Sequence, residues 1–169
     1  MPYGVMGTQV ARESIGFVDY NDALTAISPI SVPATLTDTL LTNDTLGPFT
    51  NTAHLPDNVT TIWDSVGNLF DFTELVLGST VEIRLDIAVT TTSPNQVIEI
   101  DLELGVGGTT YQIPFVRNTF KAVGTQEVNR FNGIYMGDTN TLNNGARFLI
   151  RSDGVATVRV NGWYCKITR

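Results

Sequence analysis

Glu99, Asp101 and Glu103 stand two residues apart along one stretch of the chain, and Glu82 and Asp86, four apart, keep the same strand parity on an earlier stretch. Carboxylates gathered on one strand face are what a calcium ion uses, since it takes about six to eight oxygen ligands from carboxylates and carbonyls. The same row also arises from strand alternation alone, because an outer face must carry polar groups, and Arg84 stands where it can pair across to the second run. A solvated charged face is therefore expected, with no bound metal. Gly137-Asp138-Thr139-Asn140 matches half of a calcium loop but lacks its central glycine and terminal glutamate, and is expected to form Asx turns.

Nucleophilic chemistry finds little footing. Cys165 is the single cysteine and His54 the single histidine, so a thiol and base would have to meet across the whole chain. A small buried apolar residue is the expected role for Cys165. The chain has no GxSxG, HExxH, P-loop or GxGxxG pattern. Gly105-Val106-Gly107-Gly108 joins two expected strands and does not open a helix, which is where phosphate cradling occurs. No carboxylate is singled out for an apolar pocket of the glycosidase kind. The chain is expected not to be an enzyme, with no catalytic residues and no cofactor.

The elements that would carry these residues are strands. Val81, Ile83, Leu85, Ile87 and Val89 alternate with polar or small residues, as do Ile98, Ile100, Leu102 and Leu104, and a Thr-Ser-Pro-Asn cluster separates the two runs. A period of two on both sides of a turn predicts a hairpin facing one core. Further strands are expected over 35–42, 60–63, 69–72, 110–116, around Phe120, Val128 and Phe131 with a kink at Gly124, then 134–136, 147–152 and 156–167. Phe70 and Phe72 point the same way and form a wall of the core. Pro114 places its strand at a sheet edge or a bulge, because proline donates nothing to a ladder. Asp153-Gly154 predicts a second tight hairpin. Asn161-Gly162 predicts a bulge that shifts the inward phase from Ala156, Val158 and Val160 to Trp163. Both tryptophans are expected in the core. Eight or nine short strands without a convincing helix predict an all-β, antiparallel two-sheet sandwich.

The chain has 169 residues and a formal net charge of −7, with ten basic residues scattered along it. An acidic surface without a basic cluster repels nucleic acid. No apolar run approaches the ~18 residues of a membrane span, and the N-terminus lacks a basic segment followed by an apolar one. Synthesis in the cytoplasm and a soluble product are expected, with neither nucleic acid nor membrane as partner. A lone cysteine permits no internal disulfide.

Residues 1–34 show no sustained period: glycines at 4, 7 and 16 and prolines at 29 and 33 interrupt them. Phe17, Tyr20, Leu24, Ile27 and Ile30 are nevertheless too apolar for a solvated linker. An extended N-terminal arm is expected over 1–34, ahead of a sandwich domain over 35–169. The arm lies along a partner, with those five residues as contacts, or along its own domain. In the first case removal of 1–34 leaves a folded domain.

Four phrases carry a resemblance: FDFTELVLGSTVEIRLDI over 70–87, VTTTSPNQ over 89–96, NRFNGIYMGDTN over 129–140 and VRVNGWYCKI over 158–167. Together they resemble small structural proteins of tailed bacteriophages, over about 64–169, and none of the motifs is chemical. The resemblance implies a jelly roll similar in outline to the trimeric tumour-necrosis-factor and C1q modules, although the collagenous stalk of the latter is absent. It implies a virion component on the capsid surface, a decoration or cement protein or a head fibre, bound to the major capsid protein or other virion proteins and forming a homo-oligomer, a trimer first. The alternative is a tail-fibre or receptor-binding module whose loops, such as 46–58 and 137–146, recognise host glycans.

Overall fold

The alternating run around residue 85 becomes a long inner strand of the molecule. In the computed structural model, which describes residues 14–169, Thr80–Thr91 forms β7, and Val81, Ile83, Leu85, Ile87 and Val89 are all buried. The preceding elements are β1 (Ile15–Asn21), α1 (Leu24–Ile27), β2 (Ile30–Val32), β3 (Thr39–Leu40), β4 (Asn51–His54), β5 (Trp63–Asp64) and β6 (Leu69–Phe70). After it come β8 (Gln96–Leu104), β9 (Tyr111–Phe120), β10 (Gly124–Tyr135), α2 (Thr139–Asn144), β11 (Ala146–Ser152) and β12 (Ala156–Thr168).

Two antiparallel sheets result. Sheet A runs β10-β7-β12-β1-β4 with β2 also on β12, and sheet B runs β5-β6-β11-β8-β9 with β3 also on β11. From β7 onward the chain changes sheet between β7 and β8, β9 and β10, β10 and β11, and β11 and β12, which gives the jelly-roll form of a sandwich. The expected hairpin over 81–104 is therefore not one: β7 pairs with β10 and β12, and β8 with β9 and β11. The turn at 153–154 likewise joins strands of different sheets. Both runs do face one core, but from opposite sides, because a short turn at the end of a sandwich serves a corner as well as a hairpin.

Two local irregularities fall where the residue types require them. β9 is an edge strand, and its register against β8 shifts so that Pro114 sits opposite Asp101 while Val116 sits opposite Ile100. β12 is bulged at Asn161: Val160 faces Ile87 and Gly162 faces Asp86. A Cβ on Gly162 would lie 2.7 Å from the Tyr20 carbonyl oxygen, so the bulge closes only over glycine. Beyond it the inward phase passes to Trp163, Cys165 and Ile167, all fully buried. Trp163 meets Trp63 edge-on at 5.6 Å and Phe148 at 5.1 Å, and Phe148 meets Phe70 and Phe115 at 5.8 Å and 4.9 Å, so one aromatic cluster ties sheet A to sheet B.

The expected boundary at residue 34 does not hold for the described part of the arm. β1 lies between β12 and β4, and β2 continues the same edge of β12. Residues 1–13 lie outside the described residues. The segment packs along its own domain because Val18 and Tyr20 alternate into the core, so truncation at 34 strips sheet A of two strands. The expected strands over 35–42 and 60–63 shrink to the short β3 and β5, and 137–146 contains α2, capped by Asp138 through the Thr141 N–H.

Between β1 and β2 the chain leaves β12 for the turn of α1, which would orphan the backbone of Val160. Thr25 fills the gap: its buried hydroxyl accepts from the Val160 N–H at 2.8 Å and donates to Asp22 Oδ2 at 2.6 Å. Thr25→Val keeps the shape and removes the acceptor, so it should cost about 1–3 kcal/mol in chemical denaturation, the range for an orphaned buried donor.

Candidate functional site

The carboxylate row on β8 is in register with arginines on both neighbouring strands. Arg117 of β9 reaches Asp101 at 2.5 Å and Glu99 at 3.7 Å, Arg151 of β11 reaches Glu99 at 2.5 Å and Asp101 at 3.3 Å, and Arg147 of β11 reaches Glu103 at 2.6 Å. Asp38 closes the ladder on Arg151 at 3.3 Å. The Asp101 side chain is 2% exposed, so the row is a covered ion-pair ladder and not the solvated face expected. Glu82 and Asp86 belong to β7, in the other sheet, and Arg84 pairs with Asp86 on its own strand at 2.7 Å. Among the described residues no group of three or more His, Cys, Asp or Glu side chains is arranged to hold a metal ion. The ladder binds sheet B to itself and leaves no carboxylate vacant for a ligand.

The remaining chemical candidates are held apart or filled. Cys165 is buried in β12, burial pushes its thiol up, and β1 separates it from His54, which is exposed on β4. The glycine turn after β8 closes on itself through Gly108 N–H to Gly105 carbonyl at 3.0 Å, and the Asn140 amide brackets Thr109 beside it. Trp63 and Trp163 are core residues, which removes them as sugar-stacking platforms.

Among the described residues, exposed apolar side chains occur at several points of the surface and include two clusters. Across the outer face of sheet A, Phe131, Arg84, Tyr164 and Asp19 lie opposite one another on four successive strands, with Phe17 one step along β1 and Tyr135 further along β10. Phe131, Tyr135 and Phe17 are 56%, 68% and 43% exposed. Arg84 lies over the Tyr164 ring at 5.1 Å, and Phe17 stacks on the same ring at 6.3 Å. Burial raises the carboxyl of Asp19 beside them, with Arg84 opposing. Sequence alternation placed Phe131 on a strand but did not say that it points outward with Glu127 and Asn129. Tyr135 and Tyr164 carry no such signal in the sequence, since an outward aromatic has no signature until its face is known, and Arg84 is expected there only as a partner for carboxylates.

The second place is the tip formed by α1 and the loop before β4. Leu24, Ile27, Leu46 and Phe49 are exposed there on a rigid hydrogen-bonded base. Asp44 accepts from the N–H groups of Ala23, Leu24 and Leu46, and Asp22 accepts from those of Asp44 and Thr25. Burial alone raises the Asp44 carboxyl, and the N–H groups of Ala23, Leu46 and Leu24 outweigh it, so it titrates below the ordinary carboxylate range. Of the five expected contacts, Phe17 lies on the first surface and Leu24 and Ile27 on the second, while Ile30 packs partly against the core. Tyr20 is corrected: it is buried, with its hydroxyl 3.0 Å from the Ile62 N–H and 3.1 Å from Thr61 Oγ1.

No family model matches the chain, and no curated protein matches it. Solved structures with a similar arrangement include infectious bursal disease virus Gx strain, at 9% identity and TM-score 0.47, covering 99% of this chain and 36% of that one. The chain thus spans about a third of that protein's length. The Eiger TNF of S. frugiperda aligns at 8% identity and TM-score 0.44, over 94% of this chain and 93% of that one. The PRD1 vertex protein P5 aligns at 12% identity and TM-score 0.41, over 94% and 97%.

The ladder makes the fold acid-sensitive. The hydrogen bond from Arg151, with the charge of Arg117 behind it, holds Glu99 below the ordinary carboxylate range, and the Thr60 N–H does the same for Glu74. A carboxyl depressed by folding contributes stability above its unfolded pKa and loses it as pH falls through the folded value. The melting temperature should therefore be flat near neutrality and fall once pH drops below the ordinary carboxylate range, as followed by circular dichroism.

Proposed function

We propose that the chain is a non-enzymatic structural protein of a virion, fixed to the capsid exterior as a decoration or cement protein or a head fibre. The observation that carries this reading is the uncovered apolar surface on a rigid sandwich, in two separate patches. Large side chains held in place by paired backbone lose little freedom on docking, and aromatic and arginine side chains together make strong contact centres. The outer face of sheet A, with Phe17, Phe131 and Tyr135 around the Arg84 and Tyr164 pair, is assigned to self-association, a trimer first. The tip with Leu24 and Ile27 is assigned to the major capsid protein or another virion protein. Symmetry then repeats a weak tip contact several times per oligomer, and binding strengthens through effective concentration. The acidic balance suits a shell exterior better than a surface facing packaged nucleic acid. The sequence resemblance over 64–169 points the same way.

The F131D/Y135D double variant should melt as the parent does and run as a monomer in analytical ultracentrifugation. I27D/L46D should keep its oligomeric mass and lose co-sedimentation with capsids. A parent that is monomeric and passes through capsids unbound overturns the proposal.

A second reading, glycan recognition by a fibre-tip or receptor-binding module, is favoured by one feature. Phe49 stands 75% exposed at the rim of a groove of about 280 Å³ lined also by Asn21, Arg159 and Asn161, and an exposed ring beside amide and guanidinium groups suits a sugar face. Glycan-array binding that disappears in Phe49→Ala would favour this reading over the first, and an array with no signal removes it.

A further inference from the structure

Three Asn-Gly pairs occur in the chain, at 132–133, 144–145 and 161–162, and Asp153-Gly154 is chemically related to them. Such a pair can cyclise, because glycine leaves its own nitrogen sterically open to the preceding side chain. Folding treats the four sites differently. The Asn144 amide nitrogen donates to the Asn140 carbonyl at 2.9 Å, and the Gly145 N–H is taken by the Thr141 carbonyl at 3.0 Å. The Asn161 amide donates to Glu127 at 3.1 Å and accepts from Arg159 at 3.0 Å, and Gly162 is buried in the bulge. The Asp153 carboxylate accepts from the Val97 N–H at 2.8 Å, and the Gly154 N–H goes to Ser152 Oγ at 3.2 Å.

Asn132 is the exception. It lies on β10, an edge strand of sheet A, and Gly133 is exposed. The Gly133 N–H is directed at the side chain of Asn132 itself, 2.9 Å from Oδ1. That contact brings the glycine nitrogen up to the asparagine side-chain carbonyl and polarises its Cγ toward attack.

We propose that Asn132-Gly133 is a self-modification site at which the folded protein converts asparagine to aspartate and isoaspartate. The Gly133 nitrogen gives its proton to hydroxide and forms a bond to Asn132 Cγ. The bond from Cγ to the side-chain nitrogen breaks, and that nitrogen leaves as ammonia after taking a proton from water. Water then adds to either carbonyl of the cyclic imide, opening it to aspartate or to isoaspartate. Each event places a new carboxylate on β10 opposite Ile83 of β7, on the side of the strand that carries Val128 and Ile134 and not on the side of the outward Phe131 and Tyr135. The isoaspartate product also lengthens the backbone at an edge strand, where register has support on one side only. The chemistry itself does not depend on what the outer face of sheet A docks onto.

The test incubates the full-length protein at mildly alkaline pH, folded and in denaturant, and follows the peptides spanning the four sites by mass spectrometry, with the imide and isoaspartate identified by fragmentation. In the folded protein the peptide holding Asn132 should convert first, ahead of those holding Asn144, Asn161 and Asp153, and in denaturant the three Asn-Gly sites should converge. Gly133→Ala is expected to fold, since a Cβ there meets only the Glu82 side chain at 3.8 Å, and to lose the early acidic species on isoelectric focusing. Earlier conversion at Asn144 or Asn161 in the folded state, or an Asn132 protected by folding, overturns the proposal.

Discussion

The half-turn of phase introduced at Asn161-Gly162 is the constraint from which the rest of the molecule follows. β12 is the central strand of sheet A, flanked by β7 on one side and by β1 and β2 on the other. Without the extra residue, Trp163, Cys165 and Ile167 would face solvent and Tyr164 and Lys166 would face the core. With it, the ring of Trp163 reaches the Trp63, Phe70 and Phe148 cluster of the opposite sheet, and Tyr164 is delivered to the outer face beneath Arg84. One inserted residue thus sets both the inter-sheet core and the exposed aromatic surface. The glycine that permits it is pressed against β1, so the same spot fixes where β1 ends.

The two outer faces are built on opposite principles. Sheet B neutralises its charge internally: acidic residues of the middle strand meet arginines from both sides, and even the nearly buried Asp101 has two guanidinium groups within reach. Such pairing adds little net stability against a well-packed apolar alternative, but it penalises any slipped register, because a shift would leave Asp101 facing no cation. Sheet A keeps outward aromatic side chains uncovered and sets separate ion pairs around them, Lys166 near Glu82 at 3.5 Å, Arg84 on Asp86 and Arg159 on Glu127 at 3.3 Å. A sealed face and an open face on one sandwich are what an object with a front and a back needs.

Much of this was legible from residue order. Strict alternation over 81–89 and 98–104 located two long inner strands, Pro114 announced an edge or a bulge where β9 has both, and Asn161-Gly162 announced the phase change. Three features stayed hidden for physical reasons. A tight turn reads the same whether its strands pair or cross to the other sheet, so β7-β8 and β11-β12 looked like hairpins. β1 alternates over only three inward positions, Gly16, Val18 and Tyr20, before α1 interrupts it, too few to distinguish a strand from an arm. The arginine partners of Glu99 and Asp101 lie on β9 and β11, on either side of β8 in space but scattered in sequence, so residue order offers Arg84 as a partner and not Arg117 or Arg151.

The aromatic cluster has an optical consequence. Trp63 and Trp163 are the protein's full complement of tryptophan, one from each sheet, edge to face within one sealed core. Trp63 donates its indole N–H to the Asn43 carbonyl at 3.0 Å, whereas that of Trp163 has no hydrogen-bond acceptor and ends among rings. Ultraviolet emission from this chain consequently behaves as a gauge of sheet separation. Loops and outer faces can rearrange on docking while the signal stays blue, and a red shift marks the moment water enters between the layers.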